Sequence, residues 1–366
     1  MSLALTQLKL SHFRSHKASE VSCDSRPVAI YGPNGAGKTN ILEAVSLFSP
    51  GRGIRRASAQ DMTRRPEALG WKLTGLLQGP EGPQEIETWS EAGAARQVKI
   101  NDKSAPQTKL ATLCRVIWLI PAMDRLWIEG AEGRRRFLDR TALSFFPNHA
   151  ENALTYEKTM RERNRLLKEQ IRDAHWYKAL EEQMATCAAQ IHANRIATVA
   201  ALTEAQQATT TAFPIAELDL QQTEGESPKT AADFKEAFAE SRSRDIAAGR
   251  TLVGPHRSDL YAAYIAKGVP AADCSTGEQK ALLISLILAN ARALAERIGT
   301  PPILLLDEVA AHLDADRRAA LYDELTALKA QAWMTGTEDH LFDALGSRAQ
   351  YISVAEDGGI SALKSA

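Results

Sequence analysis

The chain has 366 residues, 44% of them hydrophobic and 24% charged, with a formal net charge of −1. That length exceeds one comfortable core and suggests two compact units, while near-neutrality excludes a global basic field, so any nucleic-acid contact must come from a local patch. The opening MSLALTQLKLSHFRSH turns polar too soon for a signal peptide, the apolar stretch 281–289 is too short to span a bilayer, and Cys23, Cys114, Cys187 and Cys274 lack paired or metal-type spacing; together these predict a reduced, cytoplasmic protein with no membrane partner.

Residues 3–10, LALTQLKL, place leucines at period-two spacing and predict an opening strand. His12 to His16 follow as a polar turn with one buried Phe. The apolar run Val28–Tyr31 then reads as a buried strand, and Gly32 to Thr39 fit GxxxxGK[ST] at every fixed position before the helix former ILEAVSLF. Such a loop turns backbone N–H groups inward and ends on a helix N-terminus, so donors and dipole converge on phosphate oxygens. Gly32, Gly35 and Gly37 permit the turn, Lys38 reaches the β and γ phosphates, and the Thr39 hydroxyl suits Mg²⁺.

Residues 50–70, rich in Arg, Gly and Pro, read as an irregular connection. Strands are predicted over 71–77, 84–89 and 96–100, the last ending at Asn101 and Asp102 as a tight hairpin does. A buried strand spans 114–121. After Pro121 the character changes: GRRRFLDR at 133–140 precedes a helical run, and Ala153, Tyr156, Met160, Asn164, Leu167 and Ile171 recur at spacings of three and four. Tyr177, Leu180, Met184, Cys187, Ile191, Asn194 and Thr198 do the same, and the short break around Asp173 makes the pair an antiparallel helical hairpin. A short strand at 215–220, a polar segment at 221–230, a helix at about 231–247, the turn LVGPHRSDL at 252–260 and a hairpin in SDLYAAYIAKG complete this part.

Ser275, Thr276, Gly277 and Glu278 form a polar cap on a long apolar helix, presenting a second set of free N–H groups; a plain N-cap accounts for them equally. ILLLDE at 303–308 is a buried parallel strand that delivers Asp307 and Glu308 to its carboxyl end, where ligands bind in open α/β sheets. Asp307 suits Mg²⁺, directly or through water, and Glu308 suits orienting and activating an attacking water. Leu313 and Asp314 close a turn. WMTGTEDH at 333–340 ends a strand with Thr335 and Thr337, placed either to sense a γ phosphate or simply in a strand-to-loop turn.

The set of segments resembles the ABC-type ATPase heads of the SMC and RecF group, most closely the RecF family of bacterial recombination mediators, over nearly the whole chain. FRSH at 13–16 is similar to that group's FRN element, and GPNGAGKTN is its phosphate loop. PAMDRLWIEGAEGRRRFLD, RERNRLLK, LVGPHRSDL, STGEQKALLISLILA and LLLDEVAAHLDADRR follow in family order. The resemblance implies an α/β ABC-type ATPase head, a phosphate-loop mixed sheet with antiparallel decoration, carrying an inserted helical lobe with an antiparallel helical hairpin. Its parts fall at 1–121 and 301–366 for the ATPase lobe, 122–250 for the helical lobe and 251–300 for a signature-containing segment of that lobe.

The resemblance further implies that Gly32, Pro33, Asn34, Gly35, Ala36, Gly37, Lys38, Thr39 and Asn40 bind ATP, with Mg²⁺ on Thr39 and Asp307 and catalysis by Lys38, Asp307 and Glu308. Arg14 would lie close to the nucleotide, Thr337 would approach the γ phosphate, and Ser275, Gly277 and Asp314 would serve ATP bound by a second subunit. The implied activity is weak ATP hydrolysis gating an ATP-dependent homodimer on gapped or junction DNA, with RecO and RecR as partners and RecA loaded in repair, recombination, replication restart and the SOS response. Arg134, Arg135, Arg136, Arg161, Arg163, Arg165 and Lys168 offer a phosphate-contacting surface, though interleaved Glu162 and Glu169 fit a solvated helix face as well. Three positions depart from the family: Ala311 and His312 where a serine or acid is frequent, STGE as the signature, and His16 in place of an aromatic. Two other functions share the phosphate loop and carboxylate pair: the ATPase subunit of a transporter, and a nucleotide-gated scaffold with negligible turnover. A full SMC protein is disfavoured because the helical segment is too short for a long coiled coil.

Overall fold

The structure, a computed structural model, describes residues 3–91, 93–222 and 228–365; residues 223–227 of the polar segment expected at 221–230 lie outside them. The chain forms two compact units, one of residues 1–124, 205–214 and 275–366, the other of 125–204 and 215–274.

In the first unit the chain runs β1 (Ala4–Phe13), β2 (His16–Ser22), β3 (Val28–Tyr31), α1 (Lys38–Ser46), β4 (Trp71–Gln78), β5 (Gln84–Ser90), β6 (Gln97–Ile100), β7 (Lys103–Ser104), α2 (Leu110–Leu113) and β8 (Val116–Leu119). The second unit holds α3 (Ala131–Phe145), α4 (His149–Lys168), most of α5 (Ala174–Gln207), β9 (Ala216–Gln222), α6 (Ala231–Ala248), β10 (Ser258–Tyr264) and β11 (Val269–Pro270). The first unit is completed by α7 (Thr276–Ile298), β12 (Ile303–Leu306), α8 (Ala315–Ala327), β13 (Ala332–Gly336), β14 (Gln350–Asp357) and β15 (Ile360–Ser365).

Two sheets make the first unit. Among the described residues one is antiparallel in the order β2-β1-β4-β5-β6-β7, and its alternation of buried Leu73 and Leu77 with exposed or half-buried neighbours is what the period-two pattern predicts. The other runs β15-β14-β3-β13-β12-β8, parallel except for β15. Its inner strands are continuous apolar runs because both faces are covered. A shared core of Leu5, Leu8, Phe13, Ile30, Ile41, Leu42, Phe48 and Trp333 lies against both. Gln331, fully buried, joins the sheets: its carboxamide accepts from Leu5 N at 2.8 Å and donates to Leu5 O at 3.0 Å, copying a strand's pairing.

The sequence places α7 with the helical lobe, yet it belongs to the first unit. Ile284, Ile287 and Leu288 of α7 enclose an apolar gap with Leu119 of β8, Leu304 and Leu306 of β12, and Leu321 of α8. A helix this apolar buries its middle on the parallel sheet, and its first turn and its last, with Glu296 and Arg297, stay exposed.

In the second unit α4 and α5 form the expected antiparallel pair. Tyr156, Met184, Cys187 and Ile191 pack with Phe234 and Phe238 of α6. At the helix ends the seam turns polar: Arg163, fully buried, donates to Glu181 at 3.0 Å, Asp245 at 2.7 Å and the Thr251 hydroxyl at 2.9 Å. With Arg242 on Glu181 the buried charges balance, which is the condition for holding them out of water. β9 and β10 pair antiparallel, with β11 closing the hairpin.

Candidate active site

The parallel sheet brings three distant segments to one edge. β3 pairs with β13, Tyr31 opposite Gly336, and β13 pairs with β12, Met334 opposite Leu306. β3 and β13 therefore end level and β12 ends two residues short of them, so that Asp307 and Glu308 follow β12 alongside Thr335 and Gly336, next to the loop that leaves β3. Pro33, Asn34 and Gly35 form the exposed tip of the loop, whereas Ala36, Gly37 and Lys38 are buried. Gly37 caps α1 at φ 104° with no side-chain cap, and while Asn40 N donates back to Gly37 O at 3.0 Å, the N–H groups of Lys38 and Thr39 open the helix toward an external acceptor. Only glycine fits there, because a Cβ would meet the Ser361 and Ser15 hydroxyls.

Lys38 arches back over the loop, donating to Gly32 O at 2.7 Å and Pro33 O at 2.9 Å. Burial lowers its pKa, and Glu308 and Asp307 pull it back up. Thr39 donates to Asp307 Oδ1 at 2.9 Å across 268 residues of sequence. Thr335 Oγ1 donates to the same oxygen at 2.7 Å and accepts from Glu308 N at 2.9 Å. Glu308 itself stands at φ 54°, a left-handed conformation rare outside glycine, and its side chain is half-buried.

The donor set fits Mg²⁺. A hydroxyl and one carboxylate, both hard oxygen donors already facing each other, leave the rest of a shell to phosphate and water, as that ion requires. A lysine charge and an open helix N-terminus beside them suit a polyphosphate. Asp307 is the buried carboxylate of the pair, facing Thr39, and Glu308 is the more exposed.

The turn at residues 13–16, read from sequence as polar punctuation, is a brace behind this loop. His16, fully buried, bonds Gly37 O through Nε2 at 3.2 Å and Ser19 Oγ through Nδ1 at 2.9 Å, and burial holds its pKa down. Ser361 donates to Ala36 O at 2.6 Å, and Asn40 donates to Ser15 Oγ at 2.7 Å. Arg14 grips the fully buried Glu43 of α1 with two bonds, at 2.8 and 2.7 Å, one turn beyond Thr39. Arg55 meets Glu43 from the other side at 3.1 Å and reaches Asn40 Oδ1 at 2.6 Å. Sequence reading missed Ser15, Glu43, Arg55 and Ser361; the only signal was a serine, an acid and arginines close to a phosphate loop.

Not every expected residue joins the cluster. Ser275 caps α7 in a reciprocal box, its amide and hydroxyl donating to Glu278 Oε2 at 2.9 and 2.8 Å, and Ser275, Thr276 and Gly277 are exposed. Asp314 accepts from Arg317 N at 2.8 Å as the cap of α8. Among the described residues no hydrogen bond links Ser275, Gly277 or Asp314 to the loop. Thr337 is half-buried just past β13. Cys274 is buried, its thiol donating to Pro270 O at 3.6 Å.

The expected basic surface needs correction. Arg163 lies inside the ion network of α4, α5 and α6. Arg134 pairs with Asp259 at 2.7 Å, Arg135 donates to Ser258 O at 2.9 Å and Arg136 pairs with Glu132. Arg134 and Arg135 thus tie α3 to β10, whereas Arg136 stays exposed on its own helix, because i, i+1 and i+2 positions on a helix point in different directions. Arg161, Arg165 and Lys168 remain exposed.

Comparison with known proteins agrees with this geometry. The family model of the RecF/RecN/SMC N-terminal domain matches residues 4–360. A DNA replication and repair protein RecF of Rhizobium etli is 46% identical over 97% of this chain and 98% of its own length, and that of Rhizobium meliloti 45% over 96% and 97%. A solved structure of the recombination mediator protein RecF with ATPrS, in the RecFOR pathway, shares 23% identity with a TM-score of 0.84 over 99% of this chain and 98% of that one. The Smc head domain of Pyrococcus furiosus follows at 16% identity and a TM-score of 0.58, over 100% and 96%. With the phosphate loop, the buried carboxylate strand and an ABC-type ATPase head fold all in one chain, and a RecF relative matching it nearly end to end, this chain belongs to the RecF family.

Proposed function

We propose that this chain is an ATP-dependent, DNA-binding recombination mediator of the cytoplasm, acting in DNA repair and replication restart with RecO and RecR to promote RecA loading. The observation that carries the reading is the convergence of Lys38, Thr39, Asp307 and Glu308 from segments 268 residues apart, with Thr39 on Asp307 at 2.9 Å. Residues 32–40 cradle the triphosphate, Thr39 and Asp307 would hold Mg²⁺, and Glu308 orients the attacking water. Bound Mg²⁺ would neutralise charge developing on the β and γ phosphates. Ser275 and Gly277, exposed on a helix N-terminus, contact the γ phosphate held by a second copy, with Asp314 beside them, so ATP bridges a dimer on DNA at gaps or single-strand/double-strand junctions. Turnover is slow, and hydrolysis opens the dimer because the γ phosphate supplies the differential binding energy. Thr337, past the end of β13, faces the same phosphate. Relatives named for DNA replication and repair over 97% of the chain leave the transporter reading without support.

Sedimentation with ATP, with ADP and with a gapped duplex tests this. The protein is expected as a dimer on DNA with ATP and a monomer with ADP. Lys38→Ala removes the loop's point charge and is expected to abolish both nucleotide binding and dimerisation; an ATP-dependent dimer of that variant contradicts the proposal.

A further inference from the structure

Thr335 is the last residue but one of β13, between the loop strand β3 and the carboxylate strand β12, and is 1% exposed. Its hydroxyl is used twice, toward Asp307 Oδ1 at 2.7 Å and toward Glu308 N at 2.9 Å. A hydroxyl carries one proton and an amide N–H only donates, so Thr335 accepts from Glu308 and gives its own proton to Asp307. Asp307 Oδ1 therefore receives two hydroxyls, Thr39 from the loop at 2.9 Å and Thr335 from the sheet. A single line of hydrogen bonds runs from Thr39 through Asp307 and Thr335 to the backbone of Glu308.

Both ends of that line need holding. Asp307 must keep one rotamer to face Thr39, and Glu308 sits in a left-handed backbone conformation that a non-glycine residue adopts only when its surroundings impose it. We infer that Thr335 is a positioning residue for both carboxylates, orienting Asp307 toward the metal side and anchoring the amide from which Glu308 projects. The inference rests on the nucleotide reading above. It replaces the expectation that Thr335 senses a phosphate, since its one hydroxyl is already committed at both faces. Removing the hydroxyl leaves Asp307 with one hydroxyl donor and the Glu308 amide without its acceptor. A purely structural threonine would be replaced by valine at no functional cost, because the two share shape and β-branching.

Thr335→Val and Thr335→Ser separate these roles in the full-length protein, with a fluorescent ATP analogue titrated in EDTA and again across a Mg²⁺ series. Thr335→Val is expected to bind the analogue in EDTA as the unaltered protein does, to need about tenfold more Mg²⁺ for half-saturation and to lose about tenfold in kcat with KM unchanged, the lower end of what outer-shell partners are worth. Thr335→Ser, which keeps the hydroxyl, is expected to restore both. Thr335→Ala supplies a second hydroxyl-free variant of smaller volume should valine disturb folding. The role is overturned if the hydroxyl-free proteins match the unaltered one in Mg²⁺ requirement, or if serine is as impaired as valine. An unaltered protein that binds no nucleotide in either buffer overturns the nucleotide reading itself, a separate result from binding with a Mg²⁺ response indifferent to residue 335.

Discussion

Gly32 leaves β3 at φ 148°, and a Cβ there would overlap the carbonyl oxygen of Val354 on the neighbouring strand β14. Gly35, at φ 85° on the exposed tip of the same loop, has nothing within 4 Å of its would-be Cβ. The two glycines answer different demands, close approach in one case and backbone hand in the other. Gly35→Ala is expected to lose only the left-handed preference, about 1–2 kcal/mol. Gly32→Ala adds a clash with rigid backbone and is expected to exceed that, reaching about 3 kcal/mol, with loss of nucleotide affinity. Urea unfolding of both variants checks the order, and an alanine at residue 32 as well tolerated as one at 35 would show that β14 does not press on the loop. Among the arginines, Arg161 is exposed and Arg163 is enclosed by Glu181, Asp245 and Thr251, although identical residues stand two apart on one helix. A helix turns about 200° between them, so one faces water and the other α5.

At the scale of elements, the turn 254–257 is tied to the helical hairpin by Arg195 of α5, which donates to Pro255 O at 2.6 Å, and by the ring of His256. Tyr156 on α4 donates to His256 Nδ1 at 2.8 Å, and His256 Nε2 donates to Thr251 O at 3.1 Å. Both nitrogens are then satisfied only by the neutral imidazole, since a proton on Nδ1 would meet a hydroxyl already oriented toward it. Burial is the main reason its pKa falls from the ordinary 6.5 to about 4, with Arg257, Arg135 and Arg195 adding to the effect. The unfolded chain takes up this proton near pH 6.5 and the folded one only near 4, so the unfolded state binds more protons in between. The contribution of His256 is therefore complete above about pH 6.5 and declines as the pH falls toward 4. Stability measured by urea from pH 7.5 to 5 is expected to drop, and to drop less steeply in His256→Gln, which cannot titrate. Parallel slopes for the two proteins would remove His256 from the account. Gly254 next to it cannot carry a side chain, for a Cβ would strike the Tyr156 hydroxyl.

At the scale of the whole molecule, the proposed dimer makes each ATP touch two chains, and the parts that do so are both helix N-termini. α1 opens on Gly37 without a side-chain cap, whereas α7 opens on an exposed Ser275 whose hydroxyl is shared with Glu278. On this proposal the first grips and the second reaches across, consistent with Ser275, Gly277 and Asp314 having, among the described residues, no hydrogen bond to the loop of their own chain. Glu308→Gln keeps the shape of the site and removes the charge proposed to activate water, so it is expected to accumulate as an ATP dimer. Ser275→Arg is expected to bind ATP as a monomer and fail to close. Sedimentation of the two with ATP decides it: a monomeric Glu308→Gln, or a dimeric Ser275→Arg, would count against closure through the signature helix.

The phosphate loop, the ILLLDE strand and the helical hairpin were legible in the sequence because each is contiguous: its spacing of glycines, aliphatics or seam residues is set by the geometry of one loop, one strand or one helix pair. That much determined a phosphate-loop α/β core with a helical hairpin and named Lys38, Thr39, Asp307 and Glu308, and the order of the segments carried the resemblance that implied an ABC-type head. The sheet order was not legible, and the rest of the site follows from it. β3 lies between β13 and β14, about 300 residues away in sequence; the pairing of β13 with β12 puts Thr335 on Asp307, and the pairing of β14 with β3 and β15 brings Ser361 against Ala36. The tertiary structure also decided which charges face water: the α4 seam admits Arg163 only because Asp245 of α6 and Glu181 of α5 arrive to balance it, and α7 joins the first unit only because the parallel sheet offers an apolar face large enough to cover it. Local patterns encode which groups a segment can present; what meets them depends on long-range pairing, which no short window of sequence contains.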